Sequence, residues 1–303
     1  MADKYVNPFT DFGFKKLFGE EANKDLLMDF LNQLLAGEET ITQLTFLKTE
    51  RLGLAEADRK AIFDLYCQNE KGEKFIVELQ KAKQLYFKDR SLYYATFAIQ
   101  EQAQAGEWDF NLKTVYMISI MDFSFDETEA DRFLHDVRLI ETHTLRVFNE
   151  KLRFLYLEMP KFNKTEEELQ SHFDKWLYVL KNLGRLDRVP LKLKERIFER
   201  VFTVAELANY NRDEQRAYQD SLKYYRDLKN ALDTQFLEGI QEGREKGREE
   251  GREEGREEGR EEGREEGRYQ EKLTIARQLR QMGLPVERII ALTQLSEEEI
   301  AAL

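Results

Sequence analysis

The stretch that decides the fold is AIFDLYCQNEKGEKFIVELQ, residues 61–80, which consists of two β-favouring runs around a polar turn. Gly72 is placed to end a three-residue hairpin loop, because glycine tolerates the left-handed backbone conformation that such loops require. Counting outward from this turn sets Asp64 opposite Glu78 on the neighbouring strand. The sequence therefore predicts a β-hairpin that carries two opposed carboxylates.

Strand alternation divides the side chains of this hairpin between two faces. The face predicted to be solvated holds both carboxylates, and its members are Ile62, Asp64, Tyr66, Ile76, Glu78 and Gln80. The face predicted to join the core holds Phe63, Leu65, Cys67, Phe75, Val77 and Leu79. Opposed carboxylates repel each other unless a cation lies between them. Two interpretations stay open at this point: a plain solvated strand face, and a site for a divalent metal ion.

Composition limits the protein class. The chain of 303 residues is 41% hydrophobic, which supports a packed core, and its net charge of −12 argues against indiscriminate nucleic-acid binding over the whole surface. The single cysteine, Cys67, excludes an internal disulfide and suits a reducing compartment. We see no secretory or transit segment and no apolar run long enough to span a bilayer, so we expect a cytoplasmic protein without membrane partners.

Hydrophobic periodicity predicts alternating helices and strands around the hairpin. We expect a first helix capped by Thr10 or Asp11, helices over residues 23–35 and 88–105, a strand over 41–50, a strand buried on both faces over 112–123, and two strands within 132–159. This order predicts an α/β fold, with a mixed sheet flanked by helices.

After Pro160 the strand signals stop and helices follow. The capping box of Thr165 and Glu168 predicts one helix start, Pro190 another, and residues 213–236 a longer helix. We therefore divide the chain into a core at 1–160, a helical layer packed on it at 161–240, a repeat spacer at 241–268 and a small helical module at 269–303.

The spacer is a four-residue repeat, GREE, that begins at Gly243. Its glycines each cost a helix roughly 1 kcal/mol relative to alanine, whereas pairs such as Glu249 with Arg252 return only about a few tenths of that. The balance does not favour an isolated helix, although a flanking helix can nucleate one. A solvated coil is the alternative.

The last segment predicts three short helices, separated by a break at residues 283–285 and by a cap at Ser296. The pattern resembles helix-turn-helix units, but basic residues are missing after Leu295, where a recognition helix would need them. We therefore favour a docking or self-association module, and self-association through these helices would make the protein a homo-oligomer.

Three segments together resemble one nuclease family: NPFTDFGFKKLFGEE at residues 7–21, the hairpin ending in Glu-Leu-Gln, and RSLYYATFAIQEQAQAGEWD at residues 90–109. The order of these segments, over residues 7–240, resembles the PD-(D/E)XK nuclease superfamily. Within it the chain is most similar to the recombination-promoting nuclease (Rpn) and transposase group. The resemblance implies a restriction-endonuclease-like mixed sheet with a helical C-terminal extension, and a Mg²⁺-dependent DNA endonuclease that acts in recombination or transposition.

The resemblance also implies roles for particular residues. Asp64 and Glu78, together with the backbone carbonyl of Leu79, would bind Mg²⁺, because hard cations prefer oxygen ligands. Gln80 stands where the wider superfamily usually has lysine, and it would orient the attacking water by hydrogen bonding. On this interpretation a lysine at position 80 should keep or raise activity.

Other residues are candidates for contact with DNA or metal. The basic candidates for DNA contact are Lys60, Lys81, Lys83 and Arg90, and a second basic patch lies within residues 181–200. Ordinary solvated helix faces are the alternative explanation for both patches. Asp11 is a candidate for an additional acidic residue, and a helix-capping role is its alternative.

A non-catalytic descendant is the rival to an active nuclease. It would use the same fold, and the C-terminal helices, as a DNA- or protein-interaction module. The presence of Asp64, Glu78 and Gln80 together favours the nuclease, whereas the acidic net charge favours the rival. The three histidines are separated from each other and from the cysteine, which argues against zinc sites and Ser-His or Cys-His catalysis.

Overall fold

The structure is a computed structural model, and it describes residues 3–38, 40–51, 61–103, 108–124 and 132–303. It contains two compact units, Met1–Leu232 and Asp233–Leu303. The four-part division made from the sequence stays a prediction.

The first unit is built on a six-stranded mixed sheet, as the sequence predicts. The strands are β1 (Leu44–Phe46), β2 (Glu50–Arg51), β3 (Ala61–Ile62), β4 (Leu65–Asn69), β5 (Lys74–Gln80), β6 (Val115–Met121), β7 (Leu134–Ile140) and β8 (Val147–Glu158). The sheet order is β1-β4-β5-β6-β8-β7, and β2 pairs with β3 separately. Strands β5, β6 and β8 run parallel, so their carboxyl ends meet at one edge, and the other neighbours are antiparallel.

The hairpin has the register that its sequence predicts. Leu65 pairs with Val77, which continues outward to set Asp64 opposite Glu78. Gly72 has a φ of 82°, the left-handed conformation expected at the end of the loop. The hairpin prediction is confirmed.

The helices agree with the sequence in order but not at every boundary. They are α1 (Asp11–Phe18), α2 (Lys24–Leu34), α3 (Phe87–Gln100), α4 (His172–Asn182), α5 (Arg196–Ala205), α6 (Arg212–Gln281), α7 (Val286–Thr293) and α8 (Glu297–Ala301). The helix expected from Thr165 begins instead after Ser171, which forms its own capping box, and the Thr165 box encloses only a 3₁₀ turn. Pro190 likewise precedes a 3₁₀ turn, and α5 begins six residues later.

Both faces of the sheet are buried, and this overturns one prediction. On one side, α1, α2, α4 and α5 pack on the face of Val77 and Leu79. On the other side α3 covers the face of Tyr66 and Ile76, presenting small residues that allow close approach: Ser91, Ala95 and Ala98. The face predicted to be solvated is therefore part of a second core. Of the six residues assigned to that face, only Ile62 is largely exposed.

Phe63 also lies on a different side from the one expected. The chain leaves regular strand geometry between β3 and β4, so alternation does not continue through this residue. Phe63 packs with Tyr66 and Tyr94 in the core beneath α3.

The repeat is helical throughout, because α6 continues through all of its GREE units. Helix propagation is much easier than nucleation, so a folded flanking turn offsets the cost of starting a helix there. The second unit has its own small core of Ala276, Ile289, Leu295 and Ile300, and Ser296 forms the capping box that the sequence predicts. Self-association of this unit stays a prediction.

Within the described residues, no helix combines the length and the hydropathy that a membrane span requires.

Candidate active site

Asp64 and Glu78 lie side by side at the open end of the hairpin. The backbone N–H of Asp64 donates to Glu78 Oε1 at 3.1 Å, and the backbone N–H of Leu79 donates to Asp64 Oδ2 at 2.8 Å. Glu78 is only 5% exposed and Asp64 is half-buried. The hairpin register thus brings two carboxylates together in a position with little water.

Gln80 and Arg90 extend this pair. The Gln80 side chain donates from Nε2 to Glu78 Oε2 at 3.1 Å, and its Oε1 accepts a hydrogen bond from the Arg90 guanidinium. Arg90 lies in the first turn of α3, and Gln84, which precedes this helix, also accepts a hydrogen bond from it at 2.6 Å. Carboxylates, amide and guanidinium therefore form one connected chain, from the hairpin to α3.

Asp64 faces a cleft of about 500 Å³ between α1 and the sheet. Asp11, Lys15 and Lys16 of α1 line the same cleft. Thr10, and not Asp11, caps α1, because its hydroxyl accepts from the N–H of Gly13 at 3.0 Å. The capping explanation for Asp11 is therefore wrong, and its carboxylate forms an ion pair with Lys81 beside the site.

The electrostatics of the carboxylate pair are unusual. Burial raises the pKa of Glu78 to about 8, and repulsion from Asp64 is the second largest cause of this shift. Burial also raises the pKa of Asp64, with the charge of Asp11 adding to the effect. The charge of Arg90 opposes the shift at Glu78, and those of Lys15 and Lys81 oppose it at Asp64. The pair therefore holds an excess of negative charge that favours a bound proton or cation.

The other residues predicted for the site, apart from Asp64 and Glu78, have different surroundings. The Leu79 N–H donates to Asp64. Because the N–H and the carbonyl of one strand residue point to the same edge of the strand, the Leu79 carbonyl also faces the side of Asp64. Lys81 approaches Asp11 and the ring of Tyr224. Lys83 is exposed beyond the end of β5, and Lys60 lies outside the described residues.

The second basic patch includes several structural contacts. Lys181 donates to the carbonyl of Phe162 at 2.5 Å, Lys192 to that of Leu169 at 3.2 Å, and Arg200 to that of Ala22. These cations satisfy the ends of turns and helices, which explains much of the patch without DNA.

Sequence reasoning missed Tyr94 of α3. Its ring lies 5.6 Å from the Arg90 guanidinium, and burial together with the charge of Glu78 raises its pKa. The signal was present, because Arg90 and Tyr94 are four residues apart and therefore share one face of a helix.

This arrangement agrees with the comparison to protein families. A model described as PD-(D/E)XK nuclease family transposase matches residues 8–235. The chain belongs to this family. The resemblance seen in the sequence is confirmed, together with the α/β fold and its helical C-terminal region. A nuclease- or transposase-related function follows, with DNA as the substrate that a nuclease family indicates. No curated protein and no solved structure gave a match.

Nucleases of this superfamily generally use divalent metal ions, and the donor set fits one. In the described part of the chain, no group of three or more His, Cys, Asp or Glu side chains is placed to hold a metal. Mg²⁺, however, is commonly held by one or two carboxylates together with substrate phosphate and water. Asp64 and Glu78 provide those two carboxylates. Burial and repulsion between neighbouring carboxylates raise their pKa values, and a bound cation would offset that negative charge.

We expect the metal-free protein to lose stability as pH rises from about 4.5 to about 8. In this window the unfolded chain releases the Glu78 proton while the folded chain keeps it, so each rise in pH favours unfolding. The raised pKa of Asp64 acts in the same direction. The total loss should be on the order of a few kcal/mol, because each pKa unit corresponds to about 1.4 kcal/mol.

Urea unfolding in EDTA across this range, for the wild type and Glu78→Gln, measures the effect. The variant lacks the titrating group, so the difference in unfolding free energy between the two proteins should grow with pH and level off above about 8. Mg²⁺ should restore more stability to the wild type at the alkaline end than at the acidic end. Parallel curves for the two proteins would contradict the assignment of a buried, proton-binding Glu78.

Proposed function

We propose that the protein is a Mg²⁺-dependent DNA endonuclease that acts in DNA recombination or transposition. The observation that carries this proposal is the contact between Asp64 and Glu78 at the end of the hairpin, with Gln80 and Arg90 joined to them. Membership of a nuclease family supports the reaction class.

Asp64, Glu78 and the Leu79 carbonyl would hold the metal ion. When bound, Mg²⁺ supplies charge stabilisation to the scissile phosphate and activates water for the attack. The hydrogen bond from the Leu79 N–H fixes one oxygen of Asp64, and the bond from the Asp64 N–H fixes one oxygen of Glu78. The hairpin backbone thus holds both carboxylates in place before the metal or the substrate arrives.

Gln80 would position the attacking water, and Arg90 would supply positive charge. An amide cannot offset negative charge on the phosphate as the usual lysine can, but the Arg90 guanidinium lies directly against Gln80. Arginine stays charged at all relevant pH values and matches phosphate oxygens with paired N–H donors. Arg90 would therefore supply the positive charge that a lysine at position 80 usually provides in the superfamily.

Asp11 and the lysines beside it would form the opposite wall. Asp11 is placed to assist in holding a metal ion or its water ligands, while Lys15 and Lys81 bring positive charge to the edge of the cleft. Cationic side chains around the carboxylates favour the approach of the DNA backbone. Lys60 and Lys83 remain proposed contacts to DNA phosphates.

Incubation of the purified protein with supercoiled plasmid tests the proposal. We expect nicked and then linear DNA with Mg²⁺ and no cleavage with EDTA. Absence of cleavage with Mg²⁺ and with Mn²⁺, while the protein still binds DNA, would overturn the proposal and favour the non-catalytic interaction module.

A further inference from the structure

Helix α3 carries a row of aromatic residues on the face that holds Arg90. Tyr86, Arg90, Tyr93 and Phe97 recur at spacings of four, three and four residues, which places them on one side of a helix, with Tyr94 beside them. Tyr86 immediately precedes α3, and its carbonyl accepts from the N–H of Arg90 at 2.9 Å. The row therefore begins at the first turn and extends along the helix.

This row is attached to the candidate active site through Arg90. The guanidinium contacts Gln80 and lies over the rings of Phe87 and Tyr94, at 5.9 and 5.6 Å from their centroids. A phosphate at Gln80 and Glu78 would consequently have an aromatic residue on either side of it along α3, Tyr86 before Arg90 and Tyr93 after it.

Tyr86 and Tyr93 are exposed, unlike the core aromatics beneath them. Tyr86 is 69% exposed and Tyr93 is 44% exposed, whereas Phe87 is buried and Tyr94 and Phe97 are partly buried. The ring of Tyr93 packs edge-to-face on Phe97, with 5.1 Å between centroids, while part of its side chain is exposed to solvent. Phe87, Tyr94 and Phe97 contribute to the core beneath α3, whereas Tyr86 and part of Tyr93 lie at the surface.

We propose that this site acts on an unpaired DNA strand, whose bases on either side of the scissile phosphate stack on Tyr86 and Tyr93. The proposal rests on the proposed nuclease function and adds the strand state of its substrate. In a duplex the faces of the bases are covered by their neighbours, so two exposed rings on one helix have nothing to stack on. Single strands offer those faces, and aromatic platforms within basic surroundings are a general means of binding them.

Spacing and charge support this occupant. Seven residues along a helix correspond to about 10 Å, which matches the reach of an extended strand across one or two nucleotides. Residues 81–90 contain four cations, Lys81, Lys83, Lys88 and Arg90, against one acid, Asp89. This local excess contrasts with the net charge of −12 for the chain and suits a polyanion at α3.

Fluorescence anisotropy with labelled oligothymidylate, and with a blunt duplex of equal length, tests the proposal in EDTA, where no cleavage occurs. We expect tighter binding of the single strand, with a preference that grows as salt is raised, because stacking is less sensitive to salt than phosphate contacts. Tyr86→Ala and Tyr93→Ala should each weaken single-strand binding roughly tenfold and change duplex binding little. Tyr86→Phe and Tyr93→Phe should keep the affinity, because the ring remains.

Leu92→Ala is the matched control, since Leu92 is half-exposed on another face of the same helix. It should leave binding unchanged. A second readout is cleavage of a duplex that contains an unpaired bubble, which should occur within the bubble. Equal affinity for the two DNA forms together with unaffected tyrosine variants would overturn the strand preference, even if plasmid is cleaved. Conversely, tyrosine-dependent single-strand binding without any cleavage would uphold the stacking site and overturn the nuclease.

Discussion

Glu78→Gln is expected to abolish Mg²⁺-dependent cleavage and, at the same time, to raise the melting temperature of the metal-free protein. The amide keeps the shape of the side chain but removes the buried negative charge that Asp64 repels. Asp64→Asn should have the same two effects, with a smaller gain in stability because Asp64 is less buried. Loss of a residue that merely supports a metal ligand typically costs 10- to 100-fold in activity, so removal of a ligand should cost at least about a hundredfold.

A nicking assay and thermal unfolding in EDTA, on the same preparations, measure both effects. Glu70→Gln is a suitable control, because Glu70 is an exposed carboxylate at the far end of the same hairpin. It should cleave as the wild type does and gain no stability. Normal cleavage by Glu78→Gln or by Asp64→Asn would remove these residues from the proposed mechanism.

Arg90→Gln should lower the single-turnover cleavage rate by roughly 10²- to 10³-fold, the usual cost of losing one group that stabilises charge in the transition state. The contact with Arg90 also reverses the expectation for position 80. Gln80→Lys would place an ammonium group against the guanidinium in a nearly buried position, so on its own it should reduce activity. The double variant Gln80→Lys/Arg90→Gln moves the cation to the position that is usual in the superfamily, and it should recover part of the lost rate.

Lys88→Gln is the control for this series, since Lys88 is an exposed cation on the same helix. It should change the rate only severalfold, and less at high salt. Independent, additive effects of the two substitutions would refute the exchange of roles between positions 80 and 90.

The sequence predicts the hairpin well because the information is local. Gly72 determines the turn, strand alternation has an exact period of two, and the pairing of Leu65 with Val77 follows from these two facts. Membership of the nuclease family could also be read from the order of its segments. The contact between Asp64 and Glu78 therefore required no knowledge of the rest of the fold.

The burial of Glu78 and Gln80 was not predicted, because it depends on a helix that follows later in the chain. Periodicity indicated a helix over residues 88–105 but not which face of the sheet it covers. One signal was available: Tyr66 and Ile76 flank the carboxylates on the same face, and both are large and apolar. A solvated face would seldom carry them.

The helical repeat shows the limit of propensity arguments. Counting glycines treats the segment as an isolated peptide, whereas in α6 it is continuous with helical turns on both sides. Its glycines have no neighbouring atoms within 4 Å of an added Cβ, so tertiary packing does not supply the missing stability.

The rate at which the buried Cys67 reacts reports how often the structure around it opens. It is the single thiol of the chain, it lies on β4 with no exposed surface, and burial raises its pKa to about 12. The thiolate is the nucleophile that attacks a thiol reagent, so Cys67 can react only when the packing around the hairpin that also holds Glu78 opens to water. The labelling rate of the unmodified protein thus counts openings of that hairpin. A divalent ion that joins Asp64 to Glu78 across the hairpin would stabilise the closed form. It would therefore lower the labelling rate of Cys67 by the same factor by which it lowers the population of the open form.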